Sequence, residues 1–438
     1  MRTLAEWLSL QESVHPQSID MGLERVGHVA AALGVAAPAF PVITVAGTNG
    51  KGSVVAHLEV LLTALGARTG MFTSPHLLRY NERIRVDGSE VADAELIGVF
   101  ERIEAARGTT TLTFFEYNTL AALAIFTGAR VDVAVLEVGL GGRLDATNLV
   151  AADAAVLVSV GFDHREWLGD TLELIGAEKA GIFRAGHPAV LGTPQMPASV
   201  YEAISRLGAR AVVAERDFSW QIQVTGWDYH GLALRLESLP PSSLAGAIQY
   251  RNAATAIAAL EALRSSVSAR PAVGALATRL ALLDRPTVAA ALERVRLSGR
   301  FQIIPGKVEW ILDIAHNEPA AQTLAAQLRE RPLPQRAAGA ARTFAVIGVL
   351  VDKDAAGIAA ALAPVVDRWI VCPLPGPRGT DAAQLAVRLA RAPETVELAT
   401  SVITGCEAAR AAARPGDRVV VCGSFYTVGP ALQWLRIY

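Results

Sequence analysis

The sequence predicts an α/β fold built on a parallel sheet, and two patterns support this. Short runs of apolar, mostly β-branched residues recur along the chain, as in FPVITVAG and VDVAVLEVG, and several of them end at glycine. Ala- and Leu-rich stretches such as SVVAHLEVLLTALG lie between these runs. Strands that are apolar along their whole length and alternate with helices are typical of a parallel sheet covered by helices on both faces.

The order of the patterns predicts two domains in this chain of 438 residues. Strands are expected at FPVITVAG, VDVAVLEVG and DAAVLVSVG, and the alternation continues with weaker signals from GHPAVLG to about Leu239. A long Ala-rich helical stretch then runs from RNAATAIAALEALR to about Arg296. The strand–helix alternation restarts with VEWILDIAH, TFAVIGVL, RWIVCPL and RVVVCGS. We therefore expect a large N-terminal domain over residues 1–296 and a smaller C-terminal α/β domain over residues 297–438.

Composition and charge exclude several classes of protein. Hydrophobic residues make up 52% of the chain and charged residues 19%, which suits a large core and excludes disorder. The net charge of −2 gives no basic surface for nucleic acid. The N-terminus lacks the pattern of a signal peptide, and the apolar runs are too short to span a membrane. Cys372, Cys406 and Cys422 are scattered, which argues against disulfides and zinc sites. A soluble cytoplasmic protein is expected.

The stretch ITVAGTNGKGSV looks like a phosphate-binding loop but departs from the pattern G-x-x-x-x-G-K-[ST]. Val45 stands where the first glycine is expected, and Gly52 stands where Ser or Thr is expected. The stretch still lies between a predicted strand and a predicted helix, where backbone N–H groups and the helix N-terminus face an anion. Lys51 would reach the β- and γ-phosphates, whereas a glycine-rich turn with a solvated lysine is the alternative. The candidate nucleotide-binding residues are Gly47, Thr48, Asn49, Gly50, Lys51, Gly52 and Ser53.

The stretch FTSPHLLRYNERIRVDG is dense in charged and polar side chains and contains a proline. This density predicts a loop over a functional site, and an ordinary basic surface loop is the alternative. The polar residues of the stretch include Ser74, His76, Arg79, Asn81, Arg83 and Arg85.

Glu137 lies in the apolar run VDVAVLEVG, which is otherwise suited to complete burial. A buried carboxylate must be paired or bound to a metal, and the ends of strands present ligands in doubly wound sheets. A metal role is favoured by the predicted phosphate loop, and a structural salt bridge is the alternative. Asp145, Thr147 and Asn148 add polar groups just beyond this strand.

Polar residues also follow other predicted strands. Asp163 and His164 come after DAAVLVSVG, and His164 is a metal ligand or a loop histidine held by hydrogen bonds. Lys179 lies further along, and by composition it reads as an ordinary lysine on a helix surface. Asp313, His316 and Asn317 end another strand, and Arg300 in SGRFQ lies at the domain junction; these residues are expected to face a cleft between domains.

Taken together, these stretches resemble the folylpolyglutamate synthase and dihydrofolate synthase enzymes, which are relatives of the Mur ligases. The shared motifs occur in the order of that family and cover nearly the whole chain, from about residue 20 to residue 429. They are TVAGTNGKGSV, TSPHLLRYNERIRVDG, LTFFEYNTLAAL, LEVGLGGRLDATN, FDHREWLG, IGAEKAGIFR, RNAATAIAAL, GRFQI, DIAHN and VCGSFYTVG.

The resemblance implies a Mur-ligase-like fold, in which a large phosphate-loop domain and a smaller C-terminal α/β domain hold ATP between them. It also implies that the γ-phosphate of ATP passes to a carboxylate of the acceptor, after which the amine of L-glutamate attacks the acyl phosphate and releases phosphate. The implied cofactors are ATP and Mg²⁺ at two sites, with K⁺ as a further cation.

The resemblance also assigns roles to residues. Lys179 matches a lysine that is carbamylated in relatives and thereby becomes a metal ligand, which reverses the interpretation from composition. The implied roles are metal binding for Ser74, Glu137, His164 and Lys179; catalysis for Lys51 and His316; nucleotide binding outside the loop for Asn252, Arg300 and Asp313; and binding of the pterin for Thr113, Phe115, Asp145 and Ala146.

The pterin-side match favours a bifunctional enzyme whose substrates are 7,8-dihydropteroate, tetrahydrofolates, L-glutamate and ATP. The resemblance also implies a monomer, because relatives are mostly monomers. An aromatic ring at Phe115 would stack on a pteridine, and core packing is the alternative. Three other functions compete with this one. A mono-functional folylpolyglutamate synthase would not use dihydropteroate. A Mur-type ligase of the cell wall would need a further N-terminal domain, for which the loop near residue 47 leaves little room. A non-catalytic nucleotide-binding module would lack the metal ligands, which are all present.

Overall fold

The computed structural model describes residues 2–17, 19–267, 273–333 and 341–437. The chain forms two compact units, which are described separately below. The first consists of Met1–Ser243 and Tyr250–Val295, and the second consists of Leu244–Gln249 and Arg296–Tyr438.

Among the described residues, eleven strands and most of the helices belong to the first unit. The strands are β1 (Val42–Ala46), β2 (Thr69–Phe72), β3 (Ile84–Val86), β4 (Ser89–Glu90), β5 (Val133–Glu137), β6 (Ala154–Leu157), β7 (Pro188–Leu191), β8 (Arg210–Val213), β9 (Ser219–Gln223), β10 (Gly226–His230) and β11 (Arg235–Leu239). The helices are α1 (Leu4–Val14), α2 (Glu24–Leu33), α3 (Lys51–Ala64), α4 (Asp93–Arg107), α5 (Phe114–Ala129), α6 (Arg165–Leu168), α7 (Leu172–Ala180), α8 (Ala198–Leu207), α9 (Ile248–Val267), α10 (Gly274–Leu280) and α11 (Arg285–Leu292).

The main sheet of this unit has eight strands in the order β4-β3-β2-β5-β1-β6-β7-β8. The strands from β2 to β8 in this order pair in parallel, whereas β3 and β4 are antiparallel additions at one edge. Ile43 and Val45 belong to a buried cluster with α3 and α9, while Val42 belongs to a second cluster with α5. Because successive side chains of a strand point to opposite faces, the prediction of a parallel sheet covered on both faces is confirmed.

The region from about residue 219 to Leu239 differs from the prediction. Instead of further strand–helix units, β9, β10 and β11 form a separate antiparallel sheet in the order β11-β10-β9. Only residues 224–225 join β9 to β10, and so short a connection permits a hairpin but not the crossover that parallel strands require. Trp227 and Tyr229 of β10 are fully buried in the same cluster as α3 and α9.

The Ala-rich stretch that was expected to be one long helical region is divided into α9, α10 and α11 in the described residues. Asp284 begins the last of these helices, because its side chain accepts a hydrogen bond from the backbone N–H of Thr287 at 3.0 Å. A carboxylate at this position is a strong signal for a helix start, and Pro286 within the first turn suits the same place.

The second unit has a six-stranded sheet in the order β12-β13-β17-β14-β15-β16. All neighbouring strands pair in parallel except β12 and β13, which are antiparallel. The expected restart of strand–helix alternation is therefore confirmed, and the short strand β12 was not predicted. The strands are β12 (Gln302–Ile304), β13 (Glu309–Leu312), β14 (Thr343–Ile347), β15 (Arg368–Val371), β16 (Val396–Leu398) and β17 (Arg418–Cys422), and the helices are α12 (Glu318–Glu330), α13 (Ala355–Leu362), α14 (Ala382–Leu389), α15 (Val402–Ala412) and α16 (Phe425–Leu435).

No helix in the described ranges combines the length and the apolar character needed to cross a membrane.

Candidate active site

The parallel strands of the first unit bring the candidate residues to one edge of the sheet. Strands β2, β5, β1 and β6 are neighbours in that order, and Val45 of β1 lies opposite Glu137 of β5. The residues that follow these strands therefore meet at the carboxyl edge, where doubly wound sheets bind ligands. Ser74 follows β2, the phosphate loop follows β1, and His164 follows β6.

The loop between β1 and α3 is braced by the segment that follows β6. The backbone N–H of Thr48 donates to the carbonyl oxygen of Ser159 at 2.9 Å. The Thr48 hydroxyl donates to the carbonyl oxygen of Gly161 at 3.0 Å and accepts from the Gly161 N–H at 2.9 Å. The hydroxyl of Ser159 in turn bonds both to the N–H and to the carbonyl oxygen of Asn49. The loop conformation is thus set by hydrogen bonds to the neighbouring strand end.

Gly50 occupies a position that strongly favours glycine. Its φ angle is +87°, which is the left-handed region, and it immediately precedes α3. A Cβ atom built there would lie 2.8 Å from Cγ1 of Val158 and 3.2 Å from Oδ1 of Asn252. The second glycine of the loop pattern therefore permits both the turn and the close packing of α9 against the loop. Asn252, a candidate nucleotide contact, is buried at this point.

Lys51 lies over its own loop. Its Nζ atom donates to the carbonyl oxygen of Gly47 at 2.9 Å and lies 3.5 Å from that of Thr48. The ammonium group is therefore held at the N-terminus of α3, where the partial positive charge of the helix also favours an anion.

Glu137 is the last residue of β5 and is only 4% exposed. Its carboxylate accepts hydrogen bonds from the hydroxyl of Thr73 and from the backbone N–H of Ser74, the latter at 3.4 Å. No cation in the described part of the chain forms an ion pair with Glu137, so the alternative of a structural salt bridge is not supported. Glu137 and Ser74 are brought together, as a shared metal site requires.

Lys179 is buried in the last turn of α7, with 5% of its surface exposed. The interpretation from composition, an exposed lysine on a helix, is therefore wrong. Burial, together with the positive charge of Lys51, lowers the pKa of Lys179 to about 7, against the opposing effects of Asp163 and Asp145. A large fraction of this amine is neutral near pH 7, and a neutral amine is nucleophilic.

His164 begins α6 with a φ angle of +50°. Its backbone N–H donates to a carboxylate oxygen of Asp163 at 2.9 Å, and its Nε2 atom lies 3.9 Å from the same oxygen. In the described ranges no three His, Cys, Asp or Glu side chains gather as a metal site would need. The candidate set has only two side chains of those types, because its other members are a serine and a lysine. Its fit to a hard cation therefore depends on oxygen donors from Ser74 and from a modified Lys179.

The candidate pterin residues have clear local structural roles. Thr113 caps α5 through a reciprocal pair of hydrogen bonds with Glu116, at 2.7 and 3.3 Å. The ring of Phe115 lies 5.7 Å from that of Phe72 and packs on Gly139, where a Cβ atom would lie 2.6 Å from the ring. Phe115 is only partly buried, so its ring is not a simple core side chain.

Asp145 organises the loop that follows Glu137. Its carboxylate accepts from the backbone N–H groups of Leu140 and Thr147, at 2.8 and 3.0 Å, and from the Thr147 hydroxyl at 2.6 Å. Burial raises the pKa of Asp145, while these hydrogen bonds oppose the change. Ala146, the next residue, begins a short 3-10 helix and is buried.

The stretch that carries Ser74 was predicted to be one loop, and only its first half is a loop. Its second half forms a 3-10 helix and β3, and Arg85 of β3 pairs with the buried carboxylate of Glu59 at 2.7 Å. Arg83 is also buried, and its Nε donates to Nδ1 of His76 at 2.7 Å. Burial, and to a lesser extent the charge of Arg83, lowers the pKa of His76 to about 4, so the imidazole is neutral and accepts this bond.

The second unit gathers its own set of candidates around Phe425. The guanidinium carbon of Arg300 lies 5.5 Å from the centre of the Phe425 ring, and the ring of His316 lies 6.2 Å from it. Asp313 is partly buried, and its carboxylate accepts from the backbone N–H groups of Phe301 and Ala315, both at 2.8 Å. Burial raises the pKa of Asp313, and Arg300 opposes this change most strongly. Candidates predicted from two separate motifs, GRFQI and DIAHN, are thus neighbours.

Sequence reasoning missed three residues that shape these sites. Thr73 bonds to Glu137, Ser159 braces the phosphate loop, and Phe425 lies between Arg300 and His316. Each lies in or beside a motif already recognised, and Phe425 is in VCGSFYTVG. Their roles depend on contacts between distant segments, which residue spacing alone does not reveal.

Two protein-family models match the sequence. The Mur ligase middle domain matches residues 45–260, and the Mur ligase, glutamate ligase domain matches residues 299–425.

Proteins of known name and structure are similar over almost the entire chain. The dihydrofolate synthase/folylpolyglutamate synthase of Escherichia coli (strain K12) is 45% identical over 435 residues, which cover 98% of this chain and 95% of that protein. The structure of E. coli FolC in complex with DHPP and ADP has a TM-score of 0.89 at 42% identity, covering 99% of this chain and 98% of that one. A bifunctional folylpolyglutamate synthase/dihydrofolate synthase with Mn, AMPPNP and L-glutamate bound has a TM-score of 0.87 at 40% identity, covering 100% and 98%.

Proposed function

The chain belongs to the dihydrofolate synthase/folylpolyglutamate synthase family of Mur ligases, and from that premise we propose what it binds and which of its residues act. The enzyme is an ATP-dependent ligase that adds L-glutamate to 7,8-dihydropteroate and further glutamates to tetrahydrofolates. The names of its relatives support both activities. ATP, a divalent metal and L-glutamate as ligands are supported by a related structure that holds Mn, AMPPNP and L-glutamate.

The observation that carries the proposal is the arrangement at the carboxyl edge of the first sheet. Lys51 and the N-terminus of α3 offer positive charge to a polyphosphate, while the buried carboxylate of Glu137 lies one strand away without an ion pair among the described residues. Lys179 is buried within electrostatic reach of Lys51. A site that places a cation, a phosphate loop and an unpaired carboxylate together suits phosphoryl transfer.

The acceptor carboxylate must first be phosphorylated, because its oxygen is a poor leaving group. A carboxylate oxygen of the acceptor attacks the γ-phosphorus of ATP, the bond to the β,γ-bridging oxygen breaks, and ADP leaves. The amine of L-glutamate then attacks the acyl carbon, phosphate leaves, and the amine loses a proton. Lys51 stabilises the negative charge that moves between phosphates, because its ammonium is fixed at the helix N-terminus. His316 is the proposed catalytic residue of the second unit, and the contact with Phe425 orients its ring.

We assign Mg²⁺ binding to Ser74, Glu137, His164 and Lys179, at two sites, with K⁺ as a further cation. Bound Mg²⁺ would neutralise charge on the phosphates. The fit depends on Lys179: its neutral amine can attack CO₂, lose a proton and become a carbamate, which supplies the oxygen donors that a hard cation prefers. The lowered pKa of Lys179 and its burial both support this modification.

The other assignments follow the same family. The loop residues Gly47–Ser53 with Asn252, and in the second unit Arg300 and Asp313, are the proposed nucleotide contacts. Thr113, Phe115, Asp145 and Ala146 are the proposed contacts of the pterin, of which Phe115 offers a partly exposed ring. The division into compact units supports domains at residues 1–296 and 297–438. We further propose that the protein is a cytoplasmic monomer and does not bind nucleic acid. Its three free cysteines suit a reducing compartment.

The test is an assay of the purified protein with ATP, L-glutamate and one acceptor at a time. Product from 7,8-dihydropteroate and from tetrahydrofolate is expected, with one ADP and one phosphate released for each glutamate added. Activity on tetrahydrofolate alone would establish a mono-functional folylpolyglutamate synthase instead. Failure with both acceptors, in protein that still binds ADP, would overturn the proposed substrates.

A further inference from the structure

Arg251 is a cation that the proposed function does not use. It lies in the first turns of α9, and its Nε atom is buried without a hydrogen-bond partner. Among the described residues no carboxylate forms an ion pair with it, and burial is the one cause that lowers the pKa of its guanidinium. An arginine nevertheless keeps its charge in a protein.

Arg251 as a whole is partly buried, but a guanidinium whose Nε is buried without a counterion is costly. Removing a guanidinium from water has a large free-energy cost, which only an anion or a set of acceptors offsets. A sequence under no functional constraint would fill such a place with a neutral side chain, because neutral replacements of buried charges are commonly as stable or more stable. Arg251 is therefore expected to meet an anion in a ligand-bound state.

The position of the guanidinium indicates that the anion is a phosphate group of the nucleotide. A Cβ atom built on Gly50 would lie 3.9 Å from an Nη atom of Arg251. Gly50 precedes α3 and belongs to the phosphate loop, whose other cation, Lys51, points to the carbonyl oxygen of Gly47. Asn252, the neighbour of Arg251 in α9, meets the same face of Gly50 at 3.2 Å. The guanidinium thus lies beside Gly50 of the proposed phosphate loop.

We propose that Arg251 binds the phosphate oxygens of the nucleotide, as a second cation beside Lys51, and that it holds the polyphosphate against the loop. The inference rests on the proposed function and adds one residue to its nucleotide site. Arginine suits this task better than lysine, because its planar guanidinium donates two parallel hydrogen bonds to two oxygens of one phosphate.

The test compares the binding of ADP and of adenosine by isothermal titration calorimetry. Arg251→Gln is expected to weaken ADP binding about tenfold or more, to leave adenosine binding unchanged, and to leave the melting temperature of the ligand-free protein equal or higher. Arg251→Lys, which keeps the charge but not the paired donors, is expected to weaken ADP binding less. Arg264→Gln removes an exposed arginine from the same helix and serves as the matched control.

The possible results separate this inference from the proposed function. Wild-type protein that fails to bind ADP would contradict the proposed function itself. Wild-type protein that binds ADP, beside Arg251→Gln and Arg251→Lys variants that bind it equally well, overturns only the role of Arg251. Equal losses of ADP and adenosine binding, with a lower melting temperature, indicate a structural role and also overturn it. If Arg251→Gln binds L-glutamate more weakly but ADP as well as wild type does, the guanidinium binds a carboxylate of L-glutamate. This result also overturns the proposed role of Arg251.

Discussion

The Nζ atom of Lys51 lies 2.9 Å from the carbonyl oxygen of Gly47, four residues earlier in the same loop. The lysine therefore closes its own loop into a compact ring at the start of α3. This contact holds the loop GTNGKGS together although the usual first glycine and the usual Ser or Thr after the lysine are absent. The ammonium group of Lys51 is positioned by its hydrogen bond to the backbone. Hydrogen bonds of Thr48 and Ser159 hold the loop, in place of the first glycine and the Ser or Thr of the usual pattern.

Replacing Lys51 by Ala is expected to abolish ligase turnover, because it removes the charge that faces the transferring phosphate. The expected loss is at least a hundredfold in kcat, the order of magnitude for one electrostatic group of this kind. Steady-state release of phosphate measures it, and circular dichroism checks that the variant is folded. Turnover within a few fold of wild type would mean that the loop does not bind the reacting phosphates.

Replacing Gly50 by Ala is expected to damage nucleotide binding more than stability. The new methyl group would meet Val158, which follows β6, at 2.8 Å and Asn252 of α9 at 3.2 Å, so the loop must move away from both segments. Gly66→Ala is the matched control, because Gly66 also has a positive φ, +74°, but nothing lies within 4 Å of its Cβ position. In both variants the backbone strain of an alanine at positive φ should lower the free energy of unfolding by about 1 kcal/mol, which urea unfolding measures. Only Gly50→Ala should lose affinity for ADP, and equal affinities in the two variants would contradict the close packing described here.

The sequence predicted the parts of the fold that local pattern determines. The run around Val42–Ala46 is apolar on both faces and precedes a glycine-rich turn, so its burial and its place before the loop were predictable. The antiparallel sheet β9–β11 was not predicted, although Trp227 and Tyr229 alternate with less buried residues in β10, as in a strand with one buried face. The helices that bury these two rings are distant in the sequence. The alternation and short connections such as residues 224–225 were the available signals.

The candidate site was predictable to a similar extent. Glu137 was identifiable from the sequence, because a carboxylate within an apolar strand must be paired or bound to a metal. Lys179 did not, because nothing in its helix distinguishes a buried lysine from an exposed one; its burial depends on the packing of α7 beside the sheet. The resemblance to a family supplied its proposed role, and the structure adds that burial and the charge of Lys51 lower its pKa to about 7.

The proposed carbamylation of Lys179 would make activity depend on dissolved CO₂. Enzyme freed of CO₂ by purging is expected to lose activity and to regain it with bicarbonate, faster as the pH rises through about 7, the pKa of Lys179. The sign follows because only the neutral amine attacks CO₂, and this form increases above the pKa. Lys179→Ala should be inactive and insensitive to bicarbonate, whereas acetate should restore part of its activity by supplying a free carboxylate.

The exposed Lys307 provides the control for this prediction, since Lys307→Ala should behave as wild type. Mass spectrometry of the intact active enzyme under native conditions should show the added mass of one CO₂. An active, metal-loaded enzyme with an unmodified Lys179 would contradict the carbamate.

The buried His57 should make stability depend on pH. It lies one turn after Ser53 in α3, with Nδ1 2.7 Å from the Ser53 carbonyl oxygen and Nε2 3.0 Å from the Ser242 hydroxyl. Since a carbonyl oxygen only accepts, Nδ1 carries the proton, and the neutral Nε2 accepts from Ser242. Burial lowers the pKa of His57 from 6.5 to about 4, so the folded protein resists a protonation that the unfolded chain undergoes.

His57→Gln is therefore expected to flatten the loss of stability in acid. Between pH 6.5 and about 4 the unfolded chain binds a proton at this position and the folded protein does not, so the folding contribution of neutral His57 is complete above pH 6.5 and falls as the pH is lowered. The slope attributable to this residue is about 1.4 kcal/mol per pH unit. Urea unfolding from pH 4.5 to 8 should show the variant less stable at pH 8, because it loses two buried hydrogen bonds, yet less sensitive to acid than wild type. His230→Gln, at an exposed histidine, should leave the slope unchanged. A His57→Gln slope equal to that of wild type would show that His57 titrates in the folded protein as it does in the unfolded chain, and that burial does not keep it neutral.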